Sequence, residues 1–306
     1  MRGHIDGVQG VLHLPREQQI ITCSRDGSLR LWDLKSGSQI GEDWKDEGGK
    51  KVVVNNITLS PSGKIIVIGS DDRKMRFWNV KMGKVVAEWM GHTSYVVAVC
   101  WSASGKHIMS GSWDGMVRVW NVKTGERILK FKTGHEELWA VSYSPDNTQI
   151  ATGGYIGGTR IWDAKTGELI TTLKHSRIVF SLAWTSDGKK LITGLYGLIR
   201  IYDTATWEQN ATLRGHEDWI NAISLSPTDD RLLASASHDR TARLWNLDTN
   251  LPVGPPLQHK DRVQCAAFSA NGQVLVTGGR DKNAYVWDVN AILTGTNIVS
   301  ANTLSH

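Results

Sequence analysis

The stretch GSWDGMVRVWNVKTGE, residues 111–126, places Asp114 between a tryptophan and a glycine, and a second tryptophan, Trp120, six residues later. The segment 116–120 lies between two turn sequences, WDG and KTG, and has the period-two pattern of a strand. The stretch decides the fold because it recurs along the chain. The further copies are CSRDGSLRLWDLKSGS (23–38), GSDDRKMRFWNVKMGK (69–84), GGYIGGTRIWDAKTGE (153–168), GLYGLIRIYDTATWE (194–208), ASHDRTARLWNLDTN (236–250) and GGRDKNAYVWDVNA (278–291).

Each copy contains an aromatic anchor (Trp32, Trp78, Trp120, Trp162, Tyr202, Trp245 and Trp287), and neighbouring anchors are 40–46 residues apart. Every unit has about four short runs of strand pattern, and no stretch has convincing helical periodicity. A unit of this size cannot bury both of its faces alone, so the units are expected to close into a ring. The sequence predicts one all-β domain, 1–306, a seven-bladed β-propeller with four antiparallel strands per blade. The predicted blades, called repeats 1 to 7, are approximately 1–46, 47–90, 91–133, 134–173, 174–214, 215–257 and 258–306.

The pattern of Gly-His, then Ser or Thr, then Asp and then Trp-Asp or Trp-Asn resembles the WD40-repeat family over nearly the whole chain. The resemblance implies a propeller that serves as an interaction platform, generally without catalytic activity. It also implies a buried hydrogen-bonded tetrad in each blade. Four tetrads are complete in the sequence: His4–Thr22–Asp26–Trp32, His92–Ser110–Asp114–Trp120, His216–Ser235–Asp239–Trp245 and His259–Thr277–Asp281–Trp287.

A hydroxyl, a histidine and an aspartate are also the components of a nucleophilic triad. An active site needs one exposed nucleophile, whereas this set occurs four times, which favours a structural role. The chain contains no HExxH, GxSxG or phosphate-binding glycine loop. We therefore predict that the protein is not an enzyme and has no catalytic residue, cofactor or metal site.

Repeats 2, 4 and 5 depart from the pattern. Repeat 2 has Ile68 at the hydroxyl position, repeat 4 has Ile156 at the aspartate position, and repeat 5 has Tyr202 in place of the tryptophan. Drift explains these changes, because the stability of a repeat protein is roughly additive and tolerates weak units. Remodelling of these loops for a partner is the alternative explanation.

Closure of the ring concerns the two ends of the chain. Only three residues precede His4, so we expect no N-terminal strand to complete another blade. The fourth strand of repeat 7 is then expected in the segment TNIVSANTL, 296–304. Both a complete ring without strand exchange and a propeller excised from a longer regulatory protein agree with these ends.

Composition narrows the class of protein. The net charge of +5 is spread along the chain without a basic run, which makes a nucleic-acid partner unlikely. Three well-separated cysteines without CxxC spacing favour a reducing compartment. The first ten residues contain no signal-peptide apolar region, and no run approaches 18 apolar residues. We expect an intracellular protein, cytoplasmic or nuclear, that is monomeric and does not enter membranes.

The residue before each turn aspartate and the first residues of each blade are expected at one rim, which the resemblance identifies as the top face. Trp, Tyr and Arg dominate binding hot spots, and arginine pairs with carboxylates and phosphates. We therefore predict that a protein or peptide, with acidic or phosphorylated side chains, binds here. Stacking of nucleic acid or of a sugar on the same rings is the alternative. The predicted contacts are Tyr95, Trp113, Trp139, Tyr155, Phe180, Tyr196, Trp219 and His238, beside Arg25, Arg262 and Arg280.

Overall fold

The computed structural model describes residues 1–15, 18–46, 51–175 and 177–295. Strands dominate these ranges, as the period-two pattern predicts. In chain order they are β1 (Val8–His13), β2 (Gln19–Ser24), β3 (Leu29–Asp33), β4 (Gln39–Trp44), β5 (Val54–Leu59), β6 (Ile65–Ser70), β7 (Lys74–Asn79), β8 (Lys84–Met90), β9 (Val96–Trp101), β10 (His107–Ser112), β11 (Met116–Asn121), β12 (Arg127–Lys132), β13 (Leu138–Tyr143), β14 (Gln149–Gly154), β15 (Thr159–Asp163), β16 (Leu169–Leu173), β17 (Ser181–Trp184), β18 (Lys190–Gly194), β19 (Tyr196–Asp203), β20 (Gln209–Leu225), β21 (Leu232–Ser237), β22 (Thr241–Asn246), β23 (Leu251–Gln258), β24 (Val263–Phe268), β25 (Val274–Gly279) and β26 (Ala284–Asp288), followed by the helix α1 (Val289–Thr294).

The strands form antiparallel sheets in chain order. Strands β1–β4, β5–β8, β9–β12 and β13–β16 make four-stranded sheets, and β24–β26 make a three-stranded sheet. Strands β17–β23 share one sheet, because β20 is 17 residues long and pairs with β19 at one end and with β21 at the other. The first strands contact one another around a closed circle, β1 to β5, β9, β13, β17, β20, β24 and back to β1. The fold is an all-β propeller.

The hydrophobic core lies between neighbouring sheets rather than within one of them. Middle strands such as β10 are buried along almost their whole length, whereas the outer strand β8 alternates between exposed and half-buried side chains. One cluster joins Val67 and Met75 of one sheet to Val96 and Trp120 of the next. Each sheet therefore depends on its neighbour for burial of its apolar faces, as expected for repeats that are not stable alone.

The edge of β26 is engaged by the first residues of the chain. The amino group of Met1 donates to the carbonyl of Ala284 (2.8 Å), the Ala284 amide donates to the Met1 carbonyl (3.2 Å), and Arg2 bridges to Asn283. These contacts form an isolated bridge and not a strand, and they were not expected from the sequence. The expected fourth strand, 296–304, lies outside the described residues.

Helix α1 was not expected from the sequence. Its six residues are too few for a periodic signal in the sequence. The helix is capped at both ends: at the N-terminus Asp288 accepts from the Ala291 amide (3.1 Å), and at the C-terminus Gly295 adopts φ 69°. Val289 and Ile292 are buried against the last sheet. Across the described ranges, no helix combines the length and apolar character needed to cross a bilayer.

The three cysteines are free thiols. Cys23 and Cys265 are buried, and burial raises the pKa of both, that of Cys265 to about 12. These thiols are protonated at neutral pH and act as small apolar side chains of the core.

The network of repeat 3 runs from a buried indole to the turn aspartate. Trp120 Nε1 donates to Ser110 Oγ (3.1 Å), Ser110 Oγ lies 2.8 Å from His92 Nε2, and His92 Nδ1 lies 3.0 Å from Asp114 Oδ2. Because an ionised carboxylate only accepts, His92 donates from Nδ1 and accepts the Ser110 proton at Nε2. Repeats 1 and 6 have the same contacts: His4–Asp26 (2.8 Å), His4–Thr22 (2.8 Å), Trp32–Thr22 (2.8 Å), His216–Asp239 (2.6 Å), His216–Ser235 (2.7 Å) and Trp245–Ser235 (2.8 Å).

Repeat 7 lacks one link of this network, so the prediction of a complete fourth tetrad is wrong. His259 Nε2 contacts Thr277 (2.7 Å) and Trp287 donates to Thr277 (2.8 Å), but His259 Nδ1 lies 3.0 Å from the carbonyl of Leu257. The reason is Tyr285, whose hydroxyl donates to Asp281 (2.6 Å). The tyrosine ring packs against the His259 imidazole, and its hydroxyl bonds to the Asp281 carboxylate in place of that imidazole.

Repeats 2, 4 and 5 differ in whether their buried polar groups have a substitute hydrogen-bond partner. In repeat 4 the carbonyl of Ile156 takes the place of the carboxylate, 2.9 Å from His135 Nδ1. In repeat 5 His175 contacts Thr159 (3.1 Å), while the buried Thr193 and Tyr202 hydroxyls have no hydrogen-bond partner among the described residues. In repeat 2 the indole of Trp78 is likewise unpaired in the described structure, as the isoleucine at the hydroxyl position predicts.

Removal of a turn carboxylate is expected to weaken the fold. Burial alone would raise the pKa of Asp114, but hydrogen bonds from His92 and from the Thr93 and Met116 amides outweigh it and hold that pKa well below its ordinary value. Its stabilisation is therefore present above the unfolded-state pKa, near 4, and is lost as the pH falls through the folded-state pKa. We expect Asp114→Ala to lower the free energy of unfolding by about 1–3 kcal/mol at neutral pH.

This difference is measured by urea unfolding at several pH values, with the exposed Asp229→Ala as the control. The gap between wild type and Asp114→Ala should narrow as the solution is acidified below about pH 4. A gap that is independent of pH would contradict the role given to the ionised carboxylate.

A second change is expected to stabilise the protein. Ile156 has φ 60° and is 59% exposed, and a β-branched residue in the left-handed region costs about 1–2 kcal/mol. Asparagine tolerates this conformation and keeps the carbonyl that His135 needs. We expect Ile156→Asn to raise the free energy of unfolding by about 1 kcal/mol in urea melts. The control Ile170→Asn, on the exposed face of β16, should not raise the free energy of unfolding. A lower free energy of unfolding in Ile156→Asn would show that the backbone at Ile156 is not strained.

Candidate functional site

Backbone hydrogen bonds hold two sets of side chains at one end of the sheets. The amide of Trp113, the residue before the turn aspartate, donates to the carbonyl of Tyr95, which lies at the entrance of β9 (3.1 Å). The same pairing recurs at the corresponding end of five other sheets or sheet halves, so both positions project from one rim. The pairs are Arg25–Gly7 (3.0 Å), Asp71–Val53 (3.1 Å), Tyr155–Glu137 (2.8 Å), His238–Trp219 (2.8 Å) and Arg280–Arg262 (2.8 Å).

A β-bulge at the start of the first strands brings a third set of side chains to this rim. In β13, Leu138 pairs with Gly154 and Ala140 with Gly153, which leaves Trp139 as the extra residue. A bulge bends the strand and changes the direction of the side chain it carries. The same two-against-one register occurs in β1, β5, β9, β20 and β24. The extra residues there are Gln9, Asn55, Val97, Asn221 and Gln264.

Six of the predicted contact residues form one continuous series of rings. We call it the aromatic arc: Tyr95, Trp113, Trp139, Phe180, Trp219 and His238. Tyr95 is 43% exposed and Trp219 is 36% exposed, and the other four side chains are half-buried. The centroid distances are Tyr95–Trp113 5.0 Å, Trp113–Trp139 4.9 Å, Trp139–Phe180 5.4 Å, Phe180–Trp219 5.1 Å and Trp219–His238 5.3 Å.

The two remaining predicted rings, those of Tyr155 and Tyr196, lie beside the aromatic arc. Both are 42% exposed. Tyr196 pairs in register with Trp219, and the guanidinium carbon of Arg177 lies 5.5 Å from its ring centroid. Tyr155 lines a cavity with Trp113.

The three predicted arginines meet at the end of the aromatic arc that His238 occupies. The amide of Arg25 donates to the carbonyl of Gly7, and a methyl group at Gly7 would lie only 3.3 Å from the Cα of Arg280. The backbone of Arg280 is bonded in turn to Arg262. Within the described ranges, no carboxylate forms an ion pair with these guanidinium groups. We call Arg25, Arg262 and Arg280 the arginine cluster.

The pKa of His238 depends on the positive charge at this end of the rim. Burial, and then the positive charges of Arg262 and Arg280, lower the pKa of His238 to about 4. The imidazole is therefore neutral at pH 7 and can accept at Nε2, which lies 3.2 Å from the side-chain nitrogen of Gln264. A neutral ring continues the apolar character of the aromatic arc up to the arginines.

The rim also contains a cavity of about 380 Å³ at the opposite end of the aromatic arc. The predicted contacts omit three of its lining residues, Ser94, Glu136 and Glu137. The signal that could have found it is Glu137, which stands at a strand-entrance position among aromatic and basic residues. We call it the acidic pocket; its lining residues are Ser94, Trp113, Glu136, Glu137 and Tyr155.

Catalytic and metal chemistry find no support in the described geometry. Ser110 is fully buried, and its hydroxyl is shared between His92 and Trp120. No group of three or more His, Cys, Asp or Glu side chains in the described part of the chain is placed to hold a metal ion.

Neutralising one of the arginines is expected to change the titration of His238. We expect Arg280→Gln and Arg262→Gln each to raise the pKa of His238 from about 4 towards the ordinary value near 6.5, because a nearby positive charge disfavours the imidazolium. An NMR titration of the His238 ring measures this. The exposed Arg231→Gln, whose partner is Asp248, serves as the control. An unchanged pKa in both variants would show that the arginines do not act on the arc.

Comparison with known proteins identifies the family of the chain. The family model for the WD domain, G-beta repeat (WD40), matches residues 1–33, 47–79, 83–121, 125–163, 167–203, 207–246 and 255–288. The chain is similar to WD repeat and SOCS box-containing protein 1 of Danio rerio, with 34% identity over 105 residues, 34% of this chain and 25% of the relative. It is also similar to Protein tipD of Dictyostelium discoideum, with 30% identity over 116 residues, 38% of this chain and 19% of the relative. Both matches thus span a quarter or less of the relative's length. With seven matched repeats that cover most of its length, the chain belongs to the WD40-repeat family.

Proposed function

We propose that this protein is a non-catalytic scaffold that binds a protein or peptide partner on its top rim, through the aromatic arc and the arginine cluster. WD40 propellers typically serve as protein-interaction scaffolds, which supports the general class. The observation that carries the specific site is the unbroken series of rings, with centroids 4.9–5.4 Å apart, that ends at three arginines without an ion-pair partner among the described residues.

The proposal includes a propeller of seven blades within the domain 1–306. The sheet β17–β23 divides at β20, whose two ends pair with different neighbours. Divided there, the sheets correspond one by one to the seven family matches. The last unit has three described strands, with Met1 and Arg2 against its edge.

The composition of the rim supports binding of a protein. Aromatic residues and arginine carry most of the energy in protein interfaces, and exposed apolar patches of this kind mark interaction sites. The rings are supported by one another and by backbone bonds, so little side-chain freedom is lost on binding.

The arginine cluster supports an acidic or phosphorylated partner. Its guanidinium groups form no ion pair with a carboxylate of the described residues, and arginine recognises carboxylates and phosphates through two parallel hydrogen bonds.

Nucleic acid is the second candidate, because bases stack on exposed rings and arginines bind phosphates. The two candidates differ in their response to salt. Binding of nucleic acid falls steeply with salt concentration, whereas an interface built on apolar rings depends on it much less.

The proposal is tested by affinity capture from extracts of the cells that produce the protein. We expect the double variant Trp113→Ala/Trp219→Ala to keep a melting temperature close to that of wild type and to lose the captured partner. Loss of two anchors that each contribute about 2 kcal/mol would weaken binding by roughly a thousandfold.

Two controls give the result its meaning. Trp207→Ala removes a half-buried tryptophan at the opposite end of the sheets and should leave capture intact. Asp114→Ala should lower the melting temperature but reduce capture much less than the double variant does, because the bond from the Trp113 amide to the Tyr95 carbonyl remains. Equal recovery of the partner by wild type and the double variant would refute the site. A retained nuclease-sensitive partner that dissociates at moderate salt would favour nucleic acid.

A further inference from the structure

The acidic pocket is not explained by a partner that is only apolar and acidic. It lies where the edge of the repeat 3 sheet meets that of repeat 4, and its five lining residues combine two aromatic rings, two carboxylates and one hydroxyl. Glu136 and Tyr155 are exposed, and Glu137 and Ser94 are half-buried, so a solute reaches the cavity from the rim. Its volume of about 380 Å³ suits one long side chain rather than a folded segment.

The charge of the pocket is uncompensated within the described residues. Neither Glu136 nor Glu137 has an ion-pair partner there. The main chain at this point is already satisfied, because the Glu137 carbonyl accepts from the Tyr155 amide. This bond fixes the main chain of Glu137 at the rim, while the two carboxylates are not used by an ion pair among the described residues.

The neighbouring rings favour a cation as that ligand. The faces of Trp and Tyr attract positive charge within about 6 Å, and a tryptophan is the strongest of these partners. The apolar stem of a lysine can lie along a ring while its ammonium group reaches a carboxylate. The rings and the carboxylates therefore favour the same class of ligand, a cation with an apolar stem, for two independent reasons.

The pocket is continuous with the aromatic arc, because Trp113 belongs to both. A peptide that crosses the rim meets carboxylates at one end of the arc and unpaired arginines at the other. Such opposed charges fix the direction of a bound chain and exclude its reverse orientation.

We propose that the acidic pocket binds a lysine side chain of the partner, with the alkyl stem against Trp113 and Tyr155 and the ammonium group donating to Glu136 and Glu137. This deepens the proposed function and rests on it for the presence of a peptide partner. Recognition of the lysine itself is a property of the pocket alone, so it can be tested without the partner.

The test uses Nα-acetyl-lysine methylamide as the probe and the indole N–H signal of Trp113 as the reporter. In the described structure that N–H has no hydrogen-bond partner, and its NMR signal is assigned by its loss in Trp113→Phe. We expect the lysine probe to shift this signal saturably, and the uncharged isostere Nα-acetyl-norleucine methylamide to leave it in place.

Variants of the two carboxylates locate the effect. Glu136→Gln/Glu137→Gln should weaken binding of the lysine probe by about tenfold, since each partly exposed ion pair contributes up to about threefold to fivefold in affinity. Glu217→Gln is the matched control, because it occupies the place of Glu136 in repeat 6, also follows a tetrad histidine, and lies outside the pocket. It should bind the probe as wild type does.

Three results would overturn the proposal: no saturable shift with the lysine probe, an equal shift with the norleucine probe, or unchanged affinity in the double glutamine variant. Tighter binding of Nα-acetyl-trimethyl-lysine methylamide would also overturn it, because that probe cannot donate to the carboxylates. The test of the lysine pocket can be separated from the test of the proposed function. The double glutamine variant changes the acidic pocket and keeps the aromatic arc, whereas Trp219→Ala changes the arc and keeps the pocket. Capture can thus be lost in one variant and probe binding in the other.

Discussion

In repeats 1, 3 and 6, a buried hydrogen bond from an indole to a hydroxyl begins the polar network that holds the turn at the rim. In repeat 3 it positions Ser110, which orients His92, which holds the ionised Asp114 in its turn. Low polarity inside the sheet strengthens this chain of bonds and makes every unpaired member costly. The turn is therefore rigid, and the residue immediately before its aspartate is presented to solvent in a defined direction.

The aromatic arc follows from three backbone devices acting together. The turn presents Trp113 and His238, the hydrogen bond from turn to strand entrance places Tyr95 and Trp219 beside them, and the bulge of β13 directs Trp139 between its neighbours. Each device belongs to the scaffold and recurs around the ring with other side chains. Specific chemistry thus arises because a repeated frame carries residues that do not repeat, and the same frame places the acidic pocket and the arginine cluster at opposite ends of the arc.

The degenerate repeats show how the frame tolerates substitution. The carbonyl of Ile156 replaces a carboxylate for His135, whereas in repeat 5 His175 bonds to Thr159 of the preceding sheet and leaves Thr193 unpaired among the described residues. Neither change opens the ring, because the apolar contacts between neighbouring sheets continue on both sides. Burial between sheets, rather than the polar network of any one repeat, holds the circle together.

The sequence by itself determined the repeat period, the strand content and the membership of the polar networks in repeats 1, 3 and 6, and it supplied the rings and arginines that are proposed as the binding rim. These follow from local spacing, since period-two alternation and turn residues act over a few neighbours. It did not determine the Tyr285–Asp281 bond, helix α1, the pairing of Met1 with Ala284, the contiguity of the aromatic arc or the acidic pocket. Only the tertiary structure decided these, because each depends on how sheets distant in sequence meet and on the one-residue bulges that redirect their side chains.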